Sequence, residues 1–306
     1  IAQCLVGSEM CIRDRYSMTP SFHTHYHPLT SRPYLRNSTY TEHTPCRALK
    51  PYVACFWTSM GEMEDGEEKA AVSVAGEREP LSGVLVIPDT CVDVIIELNH
   101  GPQTVKSRLC GIQDYSVTVG PGTGKRKMTT FAVRFYFWAV RLFMDLDMRD
   151  IYNGVLDFEL LVPGSRDAFQ ELFYQQSLRD KIEWMEEYLL KKLDTGRLNA
   201  NFFNSVDHML RSRGCAAVKD ICGCASVSQR QMERLFRQEI GISIKRTASL
   251  VRYQNVWREI VCRERFEIQE AVGQFGYADQ AHLLNDFKRF HSVWPVQAKQ
   301  IAMASR

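Results

Sequence analysis

Nowhere in this 306-residue chain does an apolar run reach 18 residues; the longest, Phe135 to Val140, is closed at its ends by Arg134 and Arg141. A membrane-spanning helix needs about 20 apolar residues, so such a segment is excluded. Net charge is scarce too, at +2, while 45% of the residues are hydrophobic and 24% charged. That balance belongs to an ordinary folded protein and excludes wholesale disorder and collagen-like repeats. A disulfide framework is also missing. The ten cysteines (4, 11, 46, 55, 91, 110, 215, 222, 224 and 262) stand singly, several within apolar stretches such as VACFW and TCVDVII, and read as reduced thiols of a cytosolic protein. Cys215, Cys222 and Cys224 have a C-x6-C-x-C spacing that is not a usual zinc pattern, and no fourth ligand follows, so no metal site is expected. His23, His25 and His27 alternate as strand ligands do, yet they sit among Thr, Ser and Pro and read as a solvated tail.

Nucleotide and catalytic motifs fail on inspection. GPGTGK (120–125) has three residues between Gly120 and Gly124 and Arg126 after its lysine; a phosphate-cradling loop needs four, then Ser or Thr. It reads as a glycine-rich hairpin loop. Asp89, Cys91 and Asp93 share one strand face by alternation, but no histidine has a sequence-assigned place beside them. A turn and a sheet rim explain them. No catalytic residue and no cofactor is assigned, and the chain is expected not to be an enzyme. It opens with Ile1, and SEMCIRDR (8–15) resembles translated sequencing-adaptor DNA. Residues 1–17 are therefore expected to be non-native, with Met18 as the start. That stretch lacks the apolar core and cleavage site of a signal peptide, so the expected location is the cytoplasm.

What is present divides in two. Residues 200–306 carry sixteen Lys and Arg against ten Asp and Glu, a balance of +6, and residues 1–199 carry −4. An acidic front and a basic back imply different partners. Residues 1–45 read as an irregular lead-in, with prolines concentrated between Pro20 and Pro51. From 46 to 165 the runs YVACFWTSM, GVLVI, CVDVIIEL, TVKSRLCG, YSVTV and TTFAVRFYF predict short strands, mostly separated by Gly, Pro or Asn. Successive strands without helices between them predict an antiparallel sandwich or barrel; the acidic GEMEDGEEK (61–69) reads as an exposed loop. Phe56, Trp57, Phe135, Tyr136 and Trp138 are read mostly as core. Over 166–199 the spacing of Ala168, Leu172 and Phe173, then Ile182, Met185 and Leu189, predicts linking amphipathic helices. These pack on their own domain, or form a dimer seam or signal lever.

From 200 onward every segment reads as helix. A short helix, the turn CASVS, and SQRQMERLFRQEIG, with Ser228 as N-cap and Gly241 as stop, form a helix-turn-helix. Met232, Leu235 and Phe236 face inward, leaving Gln229, Arg230, Gln231, Glu233, Arg234 and Arg237 outside. The arrangement recurs: a short helix over 267–275, a turn at 276–278, and a helix over 279–291. Leu283, Phe287 and Phe290 face inward there; Gln280, His282, Asn285, Lys288 and Arg289 face out. Between the units, 243–262 predicts one helix about 30 Å long, close to the roughly 34 Å turn of B-DNA. Such a rod sets two recognition helices in successive major grooves.

The text VKDICGCASVSQRQMERLFRQEIGISIKR, RYQNVWREI, EAVGQFGYADQAHLLNDFKRF and VWP resembles the AraC/XylS family of bacterial transcription regulators over about 200–300. The resemblance implies a seven-helix, double helix-turn-helix domain acting on double-stranded promoter DNA, with RNA polymerase as a partner. The front half resembles a β-rich domain carried by some members, through LKPYVACFW, VIPDTCVDVII and FAVRFYF; it implies no particular ligand. The fold class expected is therefore α+β multidomain: a β-rich presumed sensor, linking helices, and an all-α reader. A small-molecule effector and a homodimer fit that arrangement, and no membrane does. Base-reading candidates are Arg230, Gln231, Glu233, Arg234, Gln280 and His282; phosphate candidates are Ser228, Arg237, Lys245, Arg246, Asn285, Lys288 and Arg289. Three departures stand out: Ser226 where the family usually has Gly, Ala281 and Asn285 in the second unit, and Ser292-Val293-Trp294-Pro295 in place of Gly-x-Ser-Pro. The first unit is therefore expected to read sequence and the second mainly to hold phosphates. The competing reading is a small-molecule-binding β-domain protein, possibly enzymatic, whose helical tail has lost specific DNA binding.

Overall fold

The structure, a computed structural model, describes residues 21–29, 39–63, 72–74, 84–119 and 126–304. Residues 1–17, the loop at 120–125 and most of the acidic stretch, 64–69, lie outside the described residues. No helix among the described residues is long and apolar enough to cross a membrane.

The front half is antiparallel sheet. Strands β1 (Thr41–His43), β2 (Val53–Met63), β8 (Arg126–Tyr136), β5 (Cys91–Asn99), β6 (Thr104–Cys110) and β9 (Val155–Asp157) line up in that order in one six-stranded sheet. Strands β3 (Val72–Val74), β7 (Val117–Val119) and β4 (Val84–Val86) form a second, three-stranded sheet. The expected β-rich architecture is therefore present. Alternation decides the faces: Phe56, Val92, Val94, Ile96, Leu98, Phe131, Val133 and Phe135 are all buried, as successive side chains on a strand point to opposite sides. Helices α1 (Phe158–Leu161) and α2 (Ser165–Gln170) close against β6, and Phe158 stacks on Phe169 at 5.8 Å. Helix α3 (Leu178–Lys192), opened by a Ser177–Asp180 capping box, buries Met185 and Leu189. Its inward stripe is thus spent on the core.

The opposite sheet face holds a charge cluster where a sheet rim was expected. The register places Cys55, Arg134 and Asp93 side by side across β2, β8 and β5. Arg134, 4% exposed, donates to both oxygens of Asp93 at 2.9 and 2.8 Å. Asp89 and Glu42 lie 3.6 and 3.7 Å from it, and Trp57 sits under its guanidinium. Burial pushes the Asp89 carboxyl up to about 6, Arg134 opposes this and Asp93 adds to it. An ion this deep needs paired oxygens, and that pairing joins residues 41 apart. The histidine-bearing tail also departs from expectation. Phe22 is buried against Trp138 and Phe203, and Tyr26 is buried with its hydroxyl 2.8 Å from Thr90 Oγ1. Phe22 packs segment 21–29 between the halves, and the Leu29 N–H donates to Gln254 Oε1 at 2.7 Å, while His25 and His27 stay exposed.

Among the described residues the back half holds seven helices: α4 (Ala200–Arg211), α5 (Val218–Gly223), α6 (Gln229–Ile240), α7 (Ile244–Cys262), α8 (Ile268–Gln274), α9 (Gln280–His291) and α10 (Pro295–Ala304). At 19 residues, α7 is about 28 Å long. It buries residues all round, among them Leu250, Val251, Tyr253, Trp257 and Ile260, and so serves as the spine against which both units pack.

Candidate nucleic-acid interface

In the first unit, α5 and α6 meet over Ile221, Met232 and Phe236, with Phe202 of α4 edge-on to Phe236 at 5.3 Å. Buried Ser205 donates to the Ile221 carbonyl at 3.1 Å, tying α4 to α5. The second helix of this unit, α6, starts where Ser228 Oγ accepts from the Gln231 backbone N–H at 3.3 Å and Gln231 Oε1 accepts from the Ser228 N–H at 2.9 Å. This capping box satisfies two end donors that the helix leaves open. Gly241 ends the helix with φ +91°, a left-handed backbone that glycine adopts without a Cβ penalty.

Arg230, Glu233, Arg234 and Arg237 follow at i, i+3, i+4 and i+7 and form one stripe. Arg230, Arg234 and Arg237 are exposed and make no ion pair among the described residues. Glu233 is half-buried, its Oε2 enclosed without a hydrogen-bond partner among the described residues. Gln231 is exposed, but its carbonyl oxygen is committed to the cap. Ser228 is exposed at the cap itself, and Lys245 is exposed in the first turn of α7.

The second unit is built alike and wired differently. Leu283, Phe287 and Phe290 of α9 are buried, and Asp279 accepts from the His282 backbone N–H at 2.7 Å to cap the helix. Gln280, His282, Asn285, Lys288 and Arg289 are all exposed. His282, however, turns its ring edge-on to Tyr277 at 5.1 Å. Arg289 donates to Asp286 at 2.6 Å, and Lys288 lies 4.5 Å from the Trp294 ring centre. Asp286, 7% exposed, also accepts from the Tyr277 hydroxyl at 3.2 Å and faces Arg252 at 3.7 Å. The cations of α9 are therefore held by their own domain, whereas those of α6 are open to a phosphate or a base.

Arg246 stands apart from the other candidates. Its guanidinium meets Asp114 of the β-rich half, donating from Nε at 2.6 Å and again from Nη2. Nothing in the local text around either residue marks this pair, which is 132 positions apart. Asp286 was equally hidden: a carboxylate within a basic helix is recognised as buried only once Arg252 and Tyr277 are seen beside it. Among the described residues no group of three or more His, Cys, Asp and Glu side chains could hold a metal.

Residues 221–300 match a family described as a helix-turn-helix domain, and residues 41–157 match a domain of unknown function, DUF6597. No curated protein matches the chain. Among solved structures the chain is similar to ToxT of Vibrio cholerae. An apo ToxT variant is 11% identical with a TM-score of 0.40, over 81% of this chain and 97% of that one. Wild-type ToxT bound to an unsaturated fatty acid is 12% identical, at 0.38, over 80% and 95%. ToxT bound to (E)-4-(8-methylnaphthalen-1-yl)but-3-enoic acid is 14% identical, at 0.39, over 81% and 99%. Overlays this loose transfer no residue roles.

Proposed function

We propose that this chain, whose residues 221–300 match a helix-turn-helix domain, is a sequence-specific transcription regulator of the AraC type that sets α6 and α9 into successive major grooves of promoter DNA. The observation that carries this reading is the contrast between two like-built units on one rigid helix. The first presents Arg230, Arg234 and Arg237 free of ion pairs among the described residues, at the place where a recognition helix meets base edges. The second presents Gln280, His282 and Asn285 with its cations already held. On this reading Arg230, Glu233 and Arg234 read bases. Gln231 does so through its side-chain NH2 alone, because its carbonyl oxygen caps the helix, and Gln280 and His282 add weaker contacts. Ser228, Arg237, Lys245 and Asn285 line the backbone; Lys288 and Arg289 reach it only by leaving Trp294 and Asp286. Residues 46–165 are the controlling domain, 166–199 the link and 200–306 the reader, with RNA polymerase as the downstream partner.

Selection of duplexes from a random pool by the full chain tests this reading. A defined site is expected, with affinity that falls steeply with salt, since each neutralised phosphate adds about 0.9 to the log–log slope. Arg234→Ala should weaken the selected site more than random DNA, by the roughly 1–3 kcal/mol of one base contact. An equal loss on both would remove Arg234 from base reading; a flat salt response would end the DNA reading altogether.

A further inference from the structure

The β-rich half grips the reader at one corner, where α6 ends and α7 begins. Arg141 donates to Glu239 of α6 at 2.5 Å. The Gly241 backbone packs so closely on the Met148 carbonyl that a Cβ there would lie 2.3 Å from its oxygen. The centre of the grip is Asp114, 8% exposed. Its Oδ2 accepts both bonds from Arg246 and a third from the Tyr152 hydroxyl, and its Oδ1 accepts from Asn153 Nδ2 at 3.0 Å. Asn153 Oδ1 in turn accepts from the Asp114 backbone N–H at 3.0 Å. Beneath, the Arg246 guanidinium lies 4.9 Å from the Phe290 ring centre, leaving its side chain 26% exposed. Beside it, Ser116 Oγ and Ser292 Oγ are 2.6 Å apart, so the same loop before β7 reaches the C-terminal end of α9 as well.

A carboxylate receiving two N–H bonds from one guanidinium makes the contact that a DNA phosphate oxygen makes. Lys245, the neighbouring cation in that first turn, is exposed, whereas Arg246 is covered by the other half of the molecule. We propose that Asp114 is an intramolecular latch: it occupies the guanidinium of Arg246 in place of a DNA phosphate, so that the docked β-rich half holds the reader in a low-affinity state. Release of the latch frees one phosphate contact and loosens the corner that carries the recognition helix. The inference rests on the DNA-binding reading above and assigns its regulation to a named carboxylate.

The test uses the full chain and the selected site, with binding followed by fluorescence anisotropy across a salt series. Asp114→Asn removes the charge. Binding about tenfold tighter at low salt is expected, the size of one charge-assisted hydrogen-bonded contact, with a log–log salt slope steeper by about 0.9. Tyr152→Phe, which removes one supporting bond and no charge, should move affinity the same way by less. Adding Arg246→Ala to Asp114→Asn should return the slope to its wild-type value, because the freed cation is then gone. Should Asp114→Asn fail to fold, as read by its unfolding transition, Tyr152→Phe decides. Folded variants with wild-type affinity and slope would overturn the latch while leaving DNA binding intact. Absence of salt-sensitive binding in every form, wild type included, would overturn the DNA reading and the latch with it.

Discussion

Gly241→Ala puts the contact between the halves to a direct energetic test. Two costs meet at this position. The backbone there has φ +91°, and a Cβ in the left-handed region costs about 1–2 kcal/mol. The same Cβ would stand 2.3 Å from the Met148 carbonyl oxygen and 3.1 Å from its carbon. Both are backbone atoms, which cannot swing aside as the end of a side chain does. Forcing a methyl into such a contact costs about 1–3 kcal/mol more, so the substitution should destabilise the chain by about 2–5 kcal/mol in urea unfolding. Gly223 is the internal control. It is the last residue of α5, and a Cβ there meets nothing within 4 Å; Gly223→Ala should be neutral or stabilising by about 0.5–1 kcal/mol. A Gly241→Ala chain within about 0.5 kcal/mol of wild type would refute both the close approach and the left-handed turn.

Two further outcomes follow from buried ionisable groups. Arg134→Met leaves Asp93 and Asp89 without their shared cation and should cost about 3–5 kcal/mol; unfolding of Arg134→Met with Asp93→Leu should recover much of that, and no recovery would mean the pairing is not what the cluster supplies. His291 is fully buried, accepts or donates at Nδ1 with the Tyr253 hydroxyl at 2.8 Å, and burial pushes its pKa down to about 3. A folded value below the unfolded 6.5 gives stability that is whole above pH 6.5 and drains away as pH falls toward 3. The decline should be about 1.4 kcal/mol per pH unit within that window. His291→Phe should flatten the pH dependence of the unfolding free energy between pH 6.5 and 4.5, and an unchanged slope would show that the imidazole is protonated in place.

Local pattern carried the reader, and long-range pairing decided the rest. Ser228 and Gly241 bound α6 because capping and a left-handed stop are properties of a few adjacent residues. The inward stripe Met232, Leu235, Phe236 follows from helical period alone, and alternation put Asp89, Cys91 and Asp93 on one face. That Asp93 and Asp89 share a buried cation was not legible, because the register of β5 against β8 is what brings Arg134 to them. The tail around His23–His27 looked solvated by composition, yet Phe22 and Tyr26 bury against rings that other elements bring to it. Arg246 looked like an ordinary first-turn cation. Only the docking of two halves places Asp114 on it, and no spacing in the sequence encodes that approach.

The account stands most directly on a hydroxyl-radical footprint of the full chain on its selected site. Two protected patches on one face of the duplex, about 10–10.5 base pairs apart, are the predicted result. Arg234→Ala should erase the patch under α6 before the other. A single patch, or two on opposite faces, would contradict the placement of α6 and α9 in successive grooves.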